Sequence, residues 1–364
     1  MTGIMFAFSE HRSLPEKGAV LKQFVRKNIG PIIILTTLAG VLIGGIESGT
    51  LPAALQAVFH ADPRFLFLCF LCYAIHVSAH TLALRSYLKR QNCRLRFKDA
   101  LISVLTGIYY SNITPGATGG QPMQMLYLSR CGVPAGLAVS AVTIFMICWH
   151  VTRMILLLLF AIPCRAFIAE SLGASLPVLR VGFTYNLVLV IILLLLSFTK
   201  TPVQFLANTA ARLARIFRFG KNPEQAAKAI HDTADAFHNS VQSLLAKPGE
   251  LFRQLLYAFI FILAVVSILF FAVRAIGVTG PSYVQLTAMS LCQEIAAAYI
   301  PTPGASGAME LVFRMFFESL LEGSDLLAAM LIWRFVAYYF GLITGAAVSL
   351  IFRPHAPQEE STSE

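Results

Sequence analysis

The chain has 364 residues, of which 57% are hydrophobic and 13% charged, and its mean hydropathy is +0.71. An ordinary globular domain carries about 25% charged residues, so this composition excludes two soluble domains and predicts one polytopic membrane domain. The formal net charge of +10 does not indicate nucleic-acid binding, because most basic residues lie in short stretches beside apolar segments, as membrane orientation requires.

Segments of about 20 apolar residues are long enough to cross a bilayer as helices. Six such spans are predicted, at 29–48, 64–84, 134–162, 176–199, 251–277 and 326–352. Residues 1–27 form a polar tail, residues 28–352 form the membrane domain, and residues 353–364 form a short polar tail that is expected to be disordered. At about residues 200–250 a basic amphipathic insert is expected to pack under the membrane domain.

Two further apolar segments, 99–131 and 283–321, are interrupted by nearly the same hexapeptide. Residues 114–119 read Thr-Pro-Gly-Ala-Thr-Gly and residues 302–307 read Thr-Pro-Gly-Ala-Ser-Gly. Proline removes a backbone donor and glycine loosens the helix, and a bilayer tolerates such a break only where protein or a water-filled cavity covers it. Each segment is therefore predicted to be re-entrant, with one helix in, a broken turn and a half-helix back out.

The distribution of Lys and Arg predicts the topology. If the N-terminus is cytoplasmic and each broken segment is re-entrant, most of the 28 Lys and Arg lie on the cytoplasmic side, together with both termini. The opposite side then receives only Arg64, Arg165, Arg180 and Arg274. The same counting brings the two hairpins in from opposite sides, so the halves are predicted to form an inverted repeat. One miscounted span would make the repeat parallel.

Charged side chains within apolar segments are candidates for function, because each costs about 3 kcal/mol or more at the bilayer centre. Five residues meet this criterion: Arg153, Glu294, Glu310, Arg314 and Arg334. Glu310 and Arg314 are four residues apart, so they are predicted to pair on one helix face. The structural alternative is that these residues only neutralise one another inside the bundle.

The two breaks also supply hydrogen-bonding groups. A new helix begins after each break, so its free N–H groups and positive dipole end suit a phosphate or a carboxylate at membrane depth. The predicted substrate-binding residues are these groups and the charged residues near them: Asn112, Thr114, Gly116, Thr118, Gly119, Gly120, Gln121, Gln124, Arg153, Gln293, Glu294, Tyr299, Thr302, Gly304, Ser306, Glu310, Arg314 and Arg334.

His76 and His80 are spaced four apart, as a zinc pair on a helix would be. No third ligand is evident, so polar contacts within the bundle are predicted instead. The sequence contains no nucleotide-binding or hydrolase motif, and neither a cofactor nor a metal is expected.

Residues 109–124 (Tyr-Tyr-Ser-Asn-Ile-Thr-Pro-Gly-Ala-Thr-Gly-Gly-Gln-Pro-Met-Gln) resemble the first signature of the flippase-like, lysylphosphatidylglycerol synthase transmembrane-region family. Residues 301–310 resemble its second signature, and the span order is similar over about residues 20–352. The resemblance implies a bacterial cytoplasmic-membrane protein related to the lipid-translocating half of multiple peptide resistance factor. In that protein a C-terminal soluble domain transfers an aminoacyl group. Only residues 353–364 follow the last span here, so this transfer is not expected.

The expected function is therefore translocation of a lipid with a polar, phosphate-bearing headgroup, either anionic or zwitterionic. Without an ATP-binding motif, the movement would be passive or coupled to a proton or ion gradient. Two alternatives stay open. One is a membrane-embedded enzyme that acts on a lipid headgroup with Glu294 or Glu310 as general base. The other is a carrier of small solutes, which would use the same broken helices.

Overall fold

The computed structural model describes residues 36–198, 241–298 and 305–351, with isolated positions between 204 and 239 and residues 300 and 302. The polar tails at 1–27 and 353–364, most of the insert at 200–250, and Tyr299 and Gly304 of the predicted site lie outside the described residues. The regular secondary structure of the described part is helical and contains no strand, which confirms the all-α polytopic fold.

The helices whose bounds are described follow one another with short connections. In chain order they are α1 (Thr36–Glu47), α2 (Leu51–Phe59), α3 (Pro63–Arg90), α4 (Phe97–Ile113), α5 (Gly120–Arg130), α6 (Ala135–Ala161), α7 (Arg165–Leu172), α8 (Leu176–Phe198), α9 (Pro248–Ala275), α10 (Tyr283–Ala297), α11 (Ala308–Phe317), α12 (Gly323–Arg334) and α13 (Phe340–Ile351).

Five continuous helical stretches of the described chain are long and apolar enough to cross a membrane: Pro63–Arg90, Ala135–Ala161, Arg165–Leu195, Pro248–Ala275 and Gly323–Ser349. They correspond to five of the six predicted spans. The remaining predicted span, 29–48, contains α1 in its described part. It does not continue as a straight helix, because the chain bends by 110° between α1 and α2. Gly49 has a φ of 69°, which glycine adopts freely, and Pro52 lies in the first turn of α2, so the bend has a local cause.

Helices α3 and α9 form an antiparallel pair that is joined at both ends. The amide of Asp62, which caps α3, donates to the carbonyl of Ala275 at 2.8 Å. At the other end Arg90 Nε lies 3.3 Å from Glu250 Oε2. Each helix has 28 residues and is about 42 Å long, which exceeds the hydrocarbon thickness of a bilayer. Because α9 also packs on α6, α10 and α12, this pair lies at the centre of the bundle.

Both broken segments are helix–turn–helix units. Helices α4 and α5 pack against each other, as do α10 and α11. In the first unit the close approach of α5 to α4 requires a glycine at position 120, because a Cβ on Gly120 would collide with Ser111 and with the carbonyl of Gly107. The predicted hairpins are therefore present as pairs of packed helices, whereas their re-entrant course in the membrane stays a prediction. Their entry from opposite sides of the membrane stays a prediction.

The last span contains an irregular turn and a close helix contact. Residues Phe335–Tyr339 form a π-helical turn between α12 and α13, a feature that is frequent at functional sites. Beyond it, a Cβ on Gly345 would lie 2.7 Å from the carbonyl of Leu105. Gly341 and Gly345 thus form the small-residue face through which α13 packs on α4.

Candidate functional site

The described parts of the two broken turns share two backbone features. In each, the alanine amide donates to the threonine carbonyl three residues earlier, at 3.2 Å for Ala117 and Thr114 and 3.0 Å for Ala305 and Thr302. Both alanines lie in the left-handed region, with φ of 56° and 52°. This conformation costs a non-glycine residue about 1–2 kcal/mol. The repeat in the sequence is therefore also a repeat of an unfavourable local structure.

The turns meet beside the π-helical turn of the last span. The amide of Gly116 in the first turn donates to the carbonyl of Thr302 in the second, at 3.4 Å. Tyr338 connects both: its hydroxyl donates to the carbonyl of Asn112 at 3.1 Å and accepts from Ser306 Oγ at 3.4 Å. Residues about 190 positions apart thus form one polar junction.

A buried ion pair lies at this junction. Arg334 Nε is 2.6 Å from Glu310 Oε1, and the two residues are 6% and 8% exposed. The Arg334 guanidinium also donates to Ser306 Oγ at 3.4 Å and lies 4.3 Å from the centre of the Tyr338 ring. The second oxygen of Glu310 accepts from the amide of Gly307 at 2.7 Å, at the start of α11. Glu310 therefore caps the half-helix and neutralises Arg334 at the same time.

The predicted pairing of Glu310 with Arg314 is wrong. Arg314 is exposed, and its Nε lies 3.9 Å from Glu318 Oε2. Glu310 turns back to the amide of Gly307 and inward to Arg334 on α12, so its carboxylate points away from the next turn of α11. Arg314 instead belongs to the wall of a cavity.

In the first hairpin the predicted polar groups mostly stabilise the turn itself. Thr114 Oγ1 donates to the carbonyl of Tyr110 at 2.6 Å and accepts from the amide of Gly119 at 2.9 Å. Thr118 donates to the carbonyl of Pro115 at 3.0 Å, and the tip of this turn is exposed. The corresponding hydroxyl in the second turn, that of Thr302, has a buried oxygen without a partner among the described residues. In the first turn the amide of Gly119 donates to the hydroxyl of Thr114. In the second turn the corresponding amide, that of Gly307, donates to the carboxylate of Glu310 instead.

Three predicted glutamines lie on the helices of the hairpins rather than at the junction of the turns. Gln124 is buried next to α3, with its Nε2 3.4 Å from His80 Nε2, so His80 makes the polar bundle contact that was predicted. Gln293 Nε2 donates to the carbonyl of Met309 at 3.3 Å and ties α10 to α11. Gln121 is half-buried in the first turn of α5.

A second polar cluster contains Arg153 and Glu294. Arg153 is buried on α6, donates to Asn186 Oδ1 and to His150 Nδ1, and lies 4.8 Å from the centre of the Trp149 ring. Glu294 on α10 interacts with it electrostatically. Within the described chain this cluster shares no hydrogen bond with the Glu310–Arg334 pair. The structure therefore divides the predicted charged residues between two places.

Asn186 is a functional candidate that sequence reasoning missed. Its amide donates to the carbonyls of Gly182 and Ile295, which links α8 to α10 while its oxygen holds Arg153. The sequence feature that could have identified Asn186 is its position as a single asparagine inside a long apolar span.

A cavity of about 590 Å³ lies along α11, between α1 and α12. Its polar wall consists of Glu310, Arg314 and Glu318, which are spaced four apart and share one face of the helix. Gly40 and Gly44 of α1 are on the opposite wall. The cavity reaches Gly307 and Glu310 at one end of α11 and Glu322 beyond the other, so it leads along a charged helix face to the buried ion pair.

An all-helical membrane domain with two matched helix breaks meeting beside an ion pair is typical of proteins that bind a substrate at broken helices. The chain belongs to the lysylphosphatidylglycerol synthase TM region family, whose profile matches residues 29–345. It is 24% identical over 329 residues to the UPF0104 membrane protein PH1989 of Pyrococcus horikoshii, a match that covers 88% of this chain and 95% of the relative. The family gives the protein a role connected with membrane lipids. The bacterial cytoplasmic membrane and the cytoplasmic position of both termini stay predictions.

Proposed function

We propose that the protein binds a phospholipid headgroup at the junction of the two broken turns and moves the lipid between leaflets. The observation that carries this proposal is the cavity of about 590 Å³ that follows α11 and reaches Glu310, the partner of the buried Arg334. A charged wall beside an apolar helix would let a headgroup travel in polar surroundings while its acyl chains stay in lipid.

The charges along α11 fit both parts of a phospholipid headgroup. Arg314 and the positive N-terminal end of α11 attract a phosphate, and Glu310 and Glu318 attract an ammonium group. Anionic and zwitterionic lipids are therefore both candidate substrates, and the net charge of the preferred lipid depends on which of these side chains it contacts.

Arrival of a phosphate at Arg334 would compete with Glu310 for the same guanidinium. Glu310 would then lose its partner in a buried site, which is unfavourable unless the carboxylate takes up a proton or contacts an ammonium group. We infer that this exchange couples headgroup movement to a proton or to the amine of the lipid. No chemical change of the lipid is part of the proposal, and we expect the protein not to be an enzyme.

Translocation can be measured in vesicles that contain the full chain and an acyl-labelled fluorescent phosphatidylglycerol or phosphatidylethanolamine. Dithionite bleaches the label in the outer leaflet only, so additional bleaching reports exchange between leaflets.

Arg314→Gln removes an exposed charge from the cavity wall and should slow exchange about tenfold, which corresponds to about 1.4 kcal/mol. Arg64→Gln, an exposed arginine that does not line the cavity, is the matched control and should exchange normally.

Two results would overturn the proposal. The first is that dithionite bleaches no more of the label in vesicles with protein than in empty vesicles. The second is that Arg314→Gln exchanges lipid as fast as Arg64→Gln. Mass spectra of lipids extracted after the assay separate translocation from the enzyme alternative, because only an enzyme would change their masses.

A further inference from the structure

A separate pocket of about 320 Å³ lies at the end of α3 and is lined by Arg85, Lys89, Arg94 and Leu95. Arg85 and Lys89 are four residues apart and share one face of the last turns of the helix. The described residues of the lining include three cations and no acidic side chain. It shares no residue with the cavity along α11, so it is independent of the function proposed above.

The chain builds this pocket by a defined reversal after α3. Asn92 has a φ of 58°, and the amide of Cys93 donates to the carbonyl of Leu88 at 2.9 Å. The reversal brings residues 94 and 95 back beside the helix. Arg85 Nε then donates to the carbonyl of Leu95 at 3.2 Å, which fixes the guanidinium in the pocket wall.

The cations that line the pocket differ from their neighbours in having no carboxylate partner among the described residues. Arg90 lies 3.3 Å from a carboxylate oxygen of Glu250, and Arg96 lies 2.8 Å from one of Asp99. For the three lining cations, no acidic oxygen of the described chain lies within 4.0 Å. Like charges held together repel, and an anion between them would replace that repulsion with attraction.

We propose that this pocket binds the phosphate group of an anionic ligand at the membrane boundary. Guanidinium groups bind phosphate through two parallel N–H bonds, and Lys89 adds a point charge. A volume of about 320 Å³ matches the small end of ligand pockets, which suits a phosphate with a glycerol-sized substituent. The phosphate can belong to an anionic lipid headgroup or to a soluble phosphate ester, and the experiment below distinguishes the two.

The test uses the full chain purified in a neutral detergent, with binding measured by thermophoresis at low salt. The probes are phosphatidylglycerol, glycerol 1-phosphate, and phosphatidylcholine as the lipid without net charge. We expect phosphatidylglycerol to bind at least tenfold more tightly than phosphatidylcholine. The double variant Lys89→Gln/Arg94→Gln should weaken this binding about 100-fold, since each charge-assisted contact is worth about a factor of ten.

Arg96→Gln is the matched control, because it removes an exposed cation from the same loop but outside the pocket. If glycerol 1-phosphate binds as tightly as phosphatidylglycerol, the pocket is assigned to soluble phosphate esters. If phosphatidylglycerol binds and glycerol 1-phosphate does not, the pocket is assigned to lipid headgroups. The proposal is overturned if neither anionic probe binds, if phosphatidylcholine binds equally well, or if the double variant behaves as Arg96→Gln does. The melting temperature of each variant verifies that a loss of binding is not a loss of folding.

Discussion

Replacing Glu310 by glutamine removes the negative charge that neutralises Arg334 but keeps the size of the side chain. The guanidinium would stay in a position that is only 6% exposed. Its other contacts include Ser306 Oγ at 3.4 Å and the rings of Tyr338 at 4.3 Å and Trp333 at 5.7 Å, which are neutral groups. Removing one partner of a buried pair costs about 3–5 kcal/mol, and the retained amide oxygen places Glu310→Gln near the low end, at about 3 kcal/mol.

The double variant Glu310→Gln/Arg334→Gln should lose less stability than the two single variants lose together. It leaves no unpaired charge in the buried site, and the two amides can still hydrogen-bond to each other. We expect a coupling energy of about 2 kcal/mol between the two positions, within the range found for residues in direct contact.

The free energy of unfolding can be measured by titration with SDS, with the reactivity of Cys292 as the readout. This thiol is 1% exposed on α10 and becomes reactive only when the helices separate. Arg96→Gln serves as the control, because an exposed ion pair contributes less than about 1 kcal/mol. If the double variant loses as much stability as the two single variants together, the pair is not coupled and the reasoning is refuted.

Three further predictions concern packing, the junction and the topology. Gly345→Leu should lower the free energy of unfolding by about 2 kcal/mol, because the added side chain meets the carbonyl of Leu105; Gly280→Leu, at a position with open space, should change it little. Tyr338→Phe should cost about 1 kcal/mol and slow lipid exchange, since it removes the hydroxyl that joins the two turns; unchanged exchange would exclude this contact from the function. With the native cysteines replaced, Arg90→Cys and Glu322→Cys should be labelled from opposite sides of the membrane; labelling from one side would contradict the predicted topology and inverted repeat.

The spans and both helix breaks could be predicted from the sequence, because their causes are local. Each break contains a proline that removes a donor and glycines that favour a turn, and these effects act within a few residues. The bend after α1 has similar local signals in Gly49 and Pro52, but α2 was not predicted because the apolar segment before it was treated as one straight span.

The partners inside the site could not be predicted in the same way. Glu310 and Arg334 are 24 positions apart, on helices whose relative rotation depends on packing around the π-helical turn. The sequence alone favoured Arg314, the neighbour that helical spacing places on the same face. Asn186 was missed for a related reason, since its contacts to Arg153 and Ile295 connect three helices.

The double attachment of α3 to α9 restricts how the protein can change shape. Their joined ends, at Asp62 and Ala275 and at Arg90 and Glu250, hold about 42 Å of helix as one unit. A change in the width of the cavity must then come from α1, α11 or α12 moving relative to this unit, as one bundle rocks against another in many transporters. Spin labels on α3 and α9 should keep a constant separation under conditions in which labels across the cavity change theirs.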